Sequence, residues 1–292
     1  MNMIDAIRQS SKSFDYADKI EKFENLHITN DYMFCKVFTE YPELCKRLLE
    51  CILDESIEEI TVRKQAVVEN GAFSRDIRLD VCATVKGGKV YDIEMQNKWM
   101  SNIPQRMRFY QGKIDTDALD KGTDYVRLPD VKIIFLTGKD PFGFGRQLYR
   151  FEYRCVDDLN LRLNDGAEKI IVCAEGSNSE LPYDLREFLR FMINNQESGS
   201  SFVSDVKEAM RQIKDKSIWR DEYMSISYRE AELKAEGREE GREEGREAQL
   251  VDSIKALINK GFPFEEALSL LDLPANKVEY YKSLVDESNQ NL

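Results

Sequence analysis

Two short segments of strict alternation, residues 77–85 and 90–96, flank Lys86-Gly87-Gly88-Lys89 and commit this part of the chain to a β-hairpin. In a strand successive side chains point to opposite faces. Ile77, Leu79, Val81, Ala83 and Val85 therefore share one face, and Arg78, Asp80, Cys82 and Thr84 the other. On the second segment Tyr91, Ile93 and Met95 oppose Asp92, Glu94 and Gln96. A two-residue Gly87-Gly88 turn sets Asp80 against Met95 and mixes the faces. A three-residue loop, Lys86 to Gly88, sets Asp80 opposite Glu94, Cys82 opposite Asp92 and Val81 opposite Ile93. One face has to be buried, so the second register is the expected one, and Gly88 supplies the left-handed residue such a loop wants.

That register brings two carboxylates to about 5 Å at Cβ, where like charges destabilise a sheet. A divalent cation between them removes the repulsion, and oxygen donors without histidine or cysteine select Mg2+, with Mn2+ or Ca2+ as alternatives. The same residues also fit a solvated acidic face on an ordinary hairpin, and the hairpin alone leaves both readings open.

The flanking pattern predicts helix over 31–53 with a break at Tyr41-Pro42, a strand over 59–68, and helix over 101–119 with Pro104 in its first turn. Residues 131–137 are continuously apolar between Pro129 and Gly138, as a buried strand requires. Residues 147–155 and 169–173 are further strand candidates, and from Tyr183 onward the period is helical. The expected architecture is α/β: a central mixed sheet flanked by helices, with a helical C-terminal extension. The expected divisions are a core over 1–180, a helical region over 181–235, a Glu-Gly-Arg repeat over 236–250 and a small helical hairpin over 251–292. The repeat reads as a solvated helix or, through its glycine stripe, as a seam for a second helix. The last segment has the size of a helix-turn-helix, but its acidity favours a packing or protein-interaction role.

Composition removes several chemistries. With His27 the only histidine, multi-histidine metal sites are excluded, and no G-x-S-x-G elbow offers it a serine partner. The six cysteines form no C-x-x-C pair and read as reduced, buried thiols. No apolar run reaches the ~18–20 residues of a membrane span. The first twenty residues carry Asp5, Asp15 and Asp18 without an apolar core, so a cytoplasmic location is expected. The net charge of −12 is uneven: residues 1–150 hold 23 Lys and Arg against 24 Asp and Glu, leaving 19 against 30 for the remainder. The first half is thus free to carry a local basic groove.

Asp80, followed on the next strand by Glu94-Met95-Gln96, resembles the signature of the PD-(D/E)XK nucleases. Further segments resemble one branch, the Rpn family of recombination-promoting nucleases and transposases. These are Asn30-Asp31-Tyr32-Met33-Phe34, Arg78-Leu79-Asp80-Val81, Tyr91-Asp92-Ile93-Glu94-Met95-Gln96, Arg106 with Tyr110, and Gly122-Thr123-Asp124-Tyr125 leading to Leu128-Pro129. The resemblance implies a restriction-endonuclease-like core and metal-dependent hydrolysis of DNA phosphodiesters. Asp80 and Glu94 would hold the metal, with the Met95 carbonyl and Asp31 as further ligands. Gln96 stands at the usual lysine position, and Lys98 is the nearby cation that would restore the charge if the strand continues. Arg106, Tyr110 and Lys113, on one helix face, are the expected DNA contacts, unless that face is an ordinary polar surface. DNA is the expected partner and a homodimer the expected assembly, since two strands need two cuts. The alternatives are a DNA-binding relative without catalysis and an interaction module acting through the helical tail.

Overall fold

The computed structural model describes residues 21–64, 67–68, 77–78, 80–119, 122–177, 180–196, 199–274 and 277–290. Helix α1 (Asp31–Glu40) starts at Asn30, whose side chain accepts the Met33 amide at 3.2 Å, and it ends at Tyr41. Pro42 then sits in the first turn of α2 (Pro42–Leu53), where its missing N–H costs nothing. The strands follow as β1 (Ile60–Lys64), β2 (Val67–Val68), β3 (Ile77–Arg78), β4 (Val81–Val85) and β5 (Val90–Gln96). Helix α3 (Ile103–Ala118) leads to β6 (Val131–Thr137), β7 (Leu148–Phe151) and β8 (Ala167–Cys173). Helices α4 (Tyr183–Asn194), α5 (Ser201–Lys214), α6 (Ser217–Asn259), α7 (Phe264–Leu270) and α8 (Val278–Gln290) complete the described chain.

Six strands form one mixed sheet in the order β1-β4-β5-β6-β8-β7. The pairs β1/β4, β4/β5 and β7/β8 are antiparallel, whereas β5/β6 and β6/β8 are parallel, as expected where α3 carries the chain from β5 across to β6. The hairpin has the predicted register: Val81 pairs with Ile93 and Cys82 with Asp92. Gly87 and Gly88 both take positive φ in its turn, and the Gly88 amide donates to the Val85 carbonyl at 3.0 Å.

Three expected strands, 59–68, 77–85 and 147–155, are shorter or divided between two sheets. Residues 77–78 pair with 67–68 in a separate two-stranded sheet, and 147–155 joins the main sheet only over Leu148–Phe151. Residues 65–66, Leu79 and the N-terminal residues 1–20 lie outside the described residues.

Both faces of the sheet are covered. Val81, Ala83, Ile93 and Leu136 are buried on one face, against which α1 and α2 pack, followed in turn by Phe188 of α4 and Phe202 of α5. On the other face Cys82, Ile133, Phe135, Ile171 and Cys173 pack against Ile103, Met107, Tyr110 and Ile114 of α3. None of the six cysteines forms a disulfide, and His27 is exposed between buried Leu26 and Ile28.

The chain divides into two compact units, Glu21–Tyr223 and the residues from Met224 onward. The first runs beyond residue 180 because α4 and α5 pack on α1 and α2, and Lys36 of α1 pairs with Glu222 at 2.7 Å. In the second, Val251 and Ile254 of α6 bury against Ala267, Leu268, Tyr281 and Val285. Residues 237–246 of α6 are exposed, and a Cβ on Gly237, Gly241 or Gly245 would meet open space. No helix among the described residues is long and apolar enough to cross a membrane.

Candidate active site

Asp80 and Glu94 are joined through the backbone of the opposite strand. The Asp80 amide donates to Glu94 Oε1 at 3.0 Å, and the Met95 amide donates to Asp80 Oδ2 at 3.0 Å. These side-chain bonds stand beyond the last ladder pair of the hairpin, Val81 with Ile93. Hydrogen bonds of an amide to a carboxylate are stronger than neutral ones, so the clamp ties each acid to the backbone of the strand opposite. From the other face of the sheet, Cys35 Sγ of α1 donates to the Asp80 carbonyl at 2.9 Å. Nothing in the sequence marked Cys35 for this role, because the contact spans the sheet.

The acidic face is not solvated. Glu94 is 3% exposed and Asp92 0%, and both Asp92 carboxylate oxygens lack a hydrogen-bond partner. Burial raises the pKa of each well above the ordinary carboxylate range; the neighbouring acids add to this, and Arg106 opposes it. Across the ladder from Asp92, burial and that same carboxylate push the Cys82 thiol up to about 12, which leaves it inert. Asp92 is the residue that sequence reasoning passed over. Its signal was present, since it shares the polar face of Glu94 and was predicted to pair with Cys82.

Arg106 of α3 is the cation that reaches this cluster. Its guanidinium donates to Gln96 Oε1 at 2.6 Å, to the Tyr110 hydroxyl at 3.0 Å and to Glu94 Oε2 at 3.5 Å. It also lies over the Phe135 ring at 5.4 Å from the centroid. Gln96 is engaged at both ends of its amide, because Nε2 donates to the Lys98 carbonyl at 3.0 Å. Helix α3 arranges this by ordinary periodicity: Ile103, Met107 and Ile114 anchor it to the sheet, which turns Arg106 and Tyr110 inward.

The side chains of Lys98, Lys113 and Asp31, the other expected site residues, fall outside this hydrogen-bonded cluster. Strand β5 ends at Gln96, so alternation does not carry Lys98 onto the Glu94 face; its side chain is exposed. Lys113 is half-buried with its ammonium over Phe109, whereas Tyr110 is buried, so α3 does not offer the three as one open polar face. Asp31 is exposed in the first turn of α1, its carboxylate accepting the Tyr32 amide at 2.8 Å. Among the described residues, no three His, Cys, Asp or Glu side chains already converge as a metal cage.

A mixed sheet with a carboxylate from each strand of an antiparallel hairpin and a covering helix that supplies arginine is an arrangement suited to phosphodiester chemistry. The family model of the PD-(D/E)XK nuclease family transposases matches residues 28–242, which include β1 to β8, α3 and the cluster just described. Neither a curated protein nor a solved structure shows significant similarity to the chain. Sheet order, site geometry and the extent of the match lead to one assignment: the chain belongs to the PD-(D/E)XK nuclease family transposases.

Proposed function

We propose that the protein is a divalent-metal-dependent DNA endonuclease that hydrolyses phosphodiester bonds at the Asp80–Glu94 clamp. The observation that carries this reading is the reciprocal backbone clamp, with Arg106 drawn against it. The donor set fits a hard cation. Glu94 and Asp92 are buried acids, the Asp92 oxygens are orphaned, and such an excess of buried negative charge calls for protons or for a cation. Asp80 and Glu94 would hold the metal together with the Met95 carbonyl; the exposed first-turn position of Asp31 favours a helix-dipole role for that residue. Oxygen donors select Mg2+, Mn2+ or Ca2+. A bound divalent cation polarises a phosphoryl oxygen and lowers the pKa of a coordinated water.

The chain's own residues set the charge and the water content around that centre. Arg106 supplies the positive charge that the usual lysine would give, and Gln96 holds it in place instead of acting on a proton itself. Phe135 and Tyr110 flank the guanidinium, keep water from it and strengthen its pull on a phosphate. Lys98 and Lys113 serve as outlying phosphate contacts, which position DNA without reading its sequence. Two copies of the chain would place two sites on one duplex.

A second reading, a DNA-binding relative without cleavage, draws on Gln96, an amide that neither carries charge nor takes a proton. One experiment separates the two: plasmid nicking with Mg2+ or Mn2+ by the wild type, Asp80→Ala and Glu94→Ala. The nuclease reading expects metal-dependent nicking that disappears in both variants. Binding with no nicking across metals and salt concentrations favours the relative, and nicking that survives both substitutions removes the clamp as the site.

A further inference from the structure

We infer that two copies of this chain associate through the β7 edge of the sheet and the apolar arm that follows it; the inference rests on the homodimer proposed above. Strand β7 ends the sheet order, and among the described residues no strand pairs with its outer side. An open edge invites pairing with another chain unless it is blunted by charge, proline or a cover. Here it runs into the opposite of a blunting device. Beyond Phe151 the chain doubles back in a short antiparallel excursion: Arg154 bridges Arg162, the Cys155 amide donates to the Leu161 carbonyl and the Leu163 amide to the Tyr153 carbonyl, both at 3.0 Å. Phe151, Tyr153, Val156, Leu159, Leu161 and Leu163 on this edge and arm are between 42% and 91% exposed.

The exposed area matches what an interface needs. Side chains of this size present roughly 150–200 Å² each when fully open, so these six leave on the order of 600–700 Å² uncovered. That exceeds the usual largest apolar patch of a monomer and approaches the ~800 Å² that each partner contributes to a stable complex. Beside the arm, Pro104, Met107, Phe142 and Ile171 line an apolar cavity of about 270 Å³, so one edge carries both protruding and receiving surfaces. An isologous contact requires that self-complementarity.

Charge selects a second copy over DNA as the occupant. From Lys139 to Lys169 there are six Lys and Arg and six Asp and Glu, a neutral stretch in a chain of net charge −12. Two copies can meet there without the like-charge repulsion that the acidic second half of the chain, with 19 Lys and Arg against 30 Asp and Glu, imposes. The arm's arginines are also already used: Arg154 Nε donates to Glu152 at 2.9 Å, and Arg162 Nε lies 3.2 Å from the same carboxylate. Neither is held out for phosphate.

The test is sedimentation equilibrium of the full-length chain, wild type against a Val156→Asp, Leu159→Asp double variant. It is paired with amide exchange of residues 148–151 in the wild type at two concentrations. The expected result is a wild-type dimer, a dissociation constant raised at least ~100-fold by the double variant with an unchanged circular dichroism melt, and slower exchange of β7 at the higher concentration. A wild-type monomer at tens of micromolar overturns both the dimer and its surface. A dimer that the double variant leaves intact overturns the surface alone. Should the variant fail to fold, exchange decides: concentration-independent protection of β7 refutes the inference.

Discussion

Strands β5 and β6 lie side by side, parallel and in register from Val90 opposite Val131 to Gln96 opposite Thr137; Tyr91–Met95 of β5 and Ile133–Thr137 of β6 are buried. They differ in what they bury. β6 places Ile133 and Phe135 under α3, as a doubly covered strand ordinarily does. At the paired positions β5 places Asp92 and Glu94. In β6 burial is the source of stability; in β5 the same burial raises the free energy of two carboxylates, and the stability lost there has to come from neighbours such as β6. This contrast locates a site more sharply than exposure does, since the polar residues worth attention are those a fold buries at a cost.

The contrast can be broken in several places. The largest effect is expected at Glu94: Glu94→Ala should lower metal-dependent nicking by about 10³-fold or more while leaving the melting temperature unchanged or raised. A variant that cuts normally would make β5 a merely costly copy of β6. Next, Phe135→Ala on the partner strand should cost about 3–5 kcal/mol in urea titrations, because it opens a cavity beneath α3 and removes the ring against Arg106. Asp92→Leu should do the reverse, stabilising the metal-free protein by about 1–3 kcal/mol. A loss of stability there would mean that the Asp92 carboxylate has a partner.

The smaller effects concern pH and charge. Asp92 and Glu94 have folded-state pKa values raised above their ordinary values of 3.8 and 4.5. The folded state therefore binds protons that the unfolded state has released, so their stabilising effect is complete below the ordinary carboxylate range and is lost as pH rises toward the raised values. Metal-free stability should fall as pH rises above the ordinary carboxylate range, by at most ~1.4 kcal/mol per pH unit for each group, and the slope should lessen in Asp92→Leu. A flat profile in the wild type would mean these acids are already charged. Last, Arg106→Ala should reduce nicking by roughly 10–100-fold, whereas Lys98→Ala should differ little from Lys89→Ala. Equal losses at Arg106 and Lys98 would return the catalytic charge to Lys98.

Local pattern determined much of this protein. Alternation in 81–85 and 90–96, with glycine at 87 and 88, specified the hairpin and its register, because a slip of one residue would turn every side chain to the wrong face, whereas residues 77–78 pair in the separate sheet. The Asp80–Glu94 pairing followed directly. The Tyr41-Pro42 break, the limits of β6 and the start of α3 were equally legible, since proline and a continuous apolar run act on the backbone at short range. Tertiary structure decided the rest. Whether the acidic face met water or the interior depended on α3 folding back over it, and no period within β5 encodes a cover supplied from elsewhere. The Cys35 bond to Asp80, the contact of Arg106 on α3 with Glu94 on β5 and the extension of the core unit to Tyr223 likewise arise between separate elements. Pattern specifies which side chains share a face; only packing decides what that face meets, and so which of its charges are costly enough to be put to use.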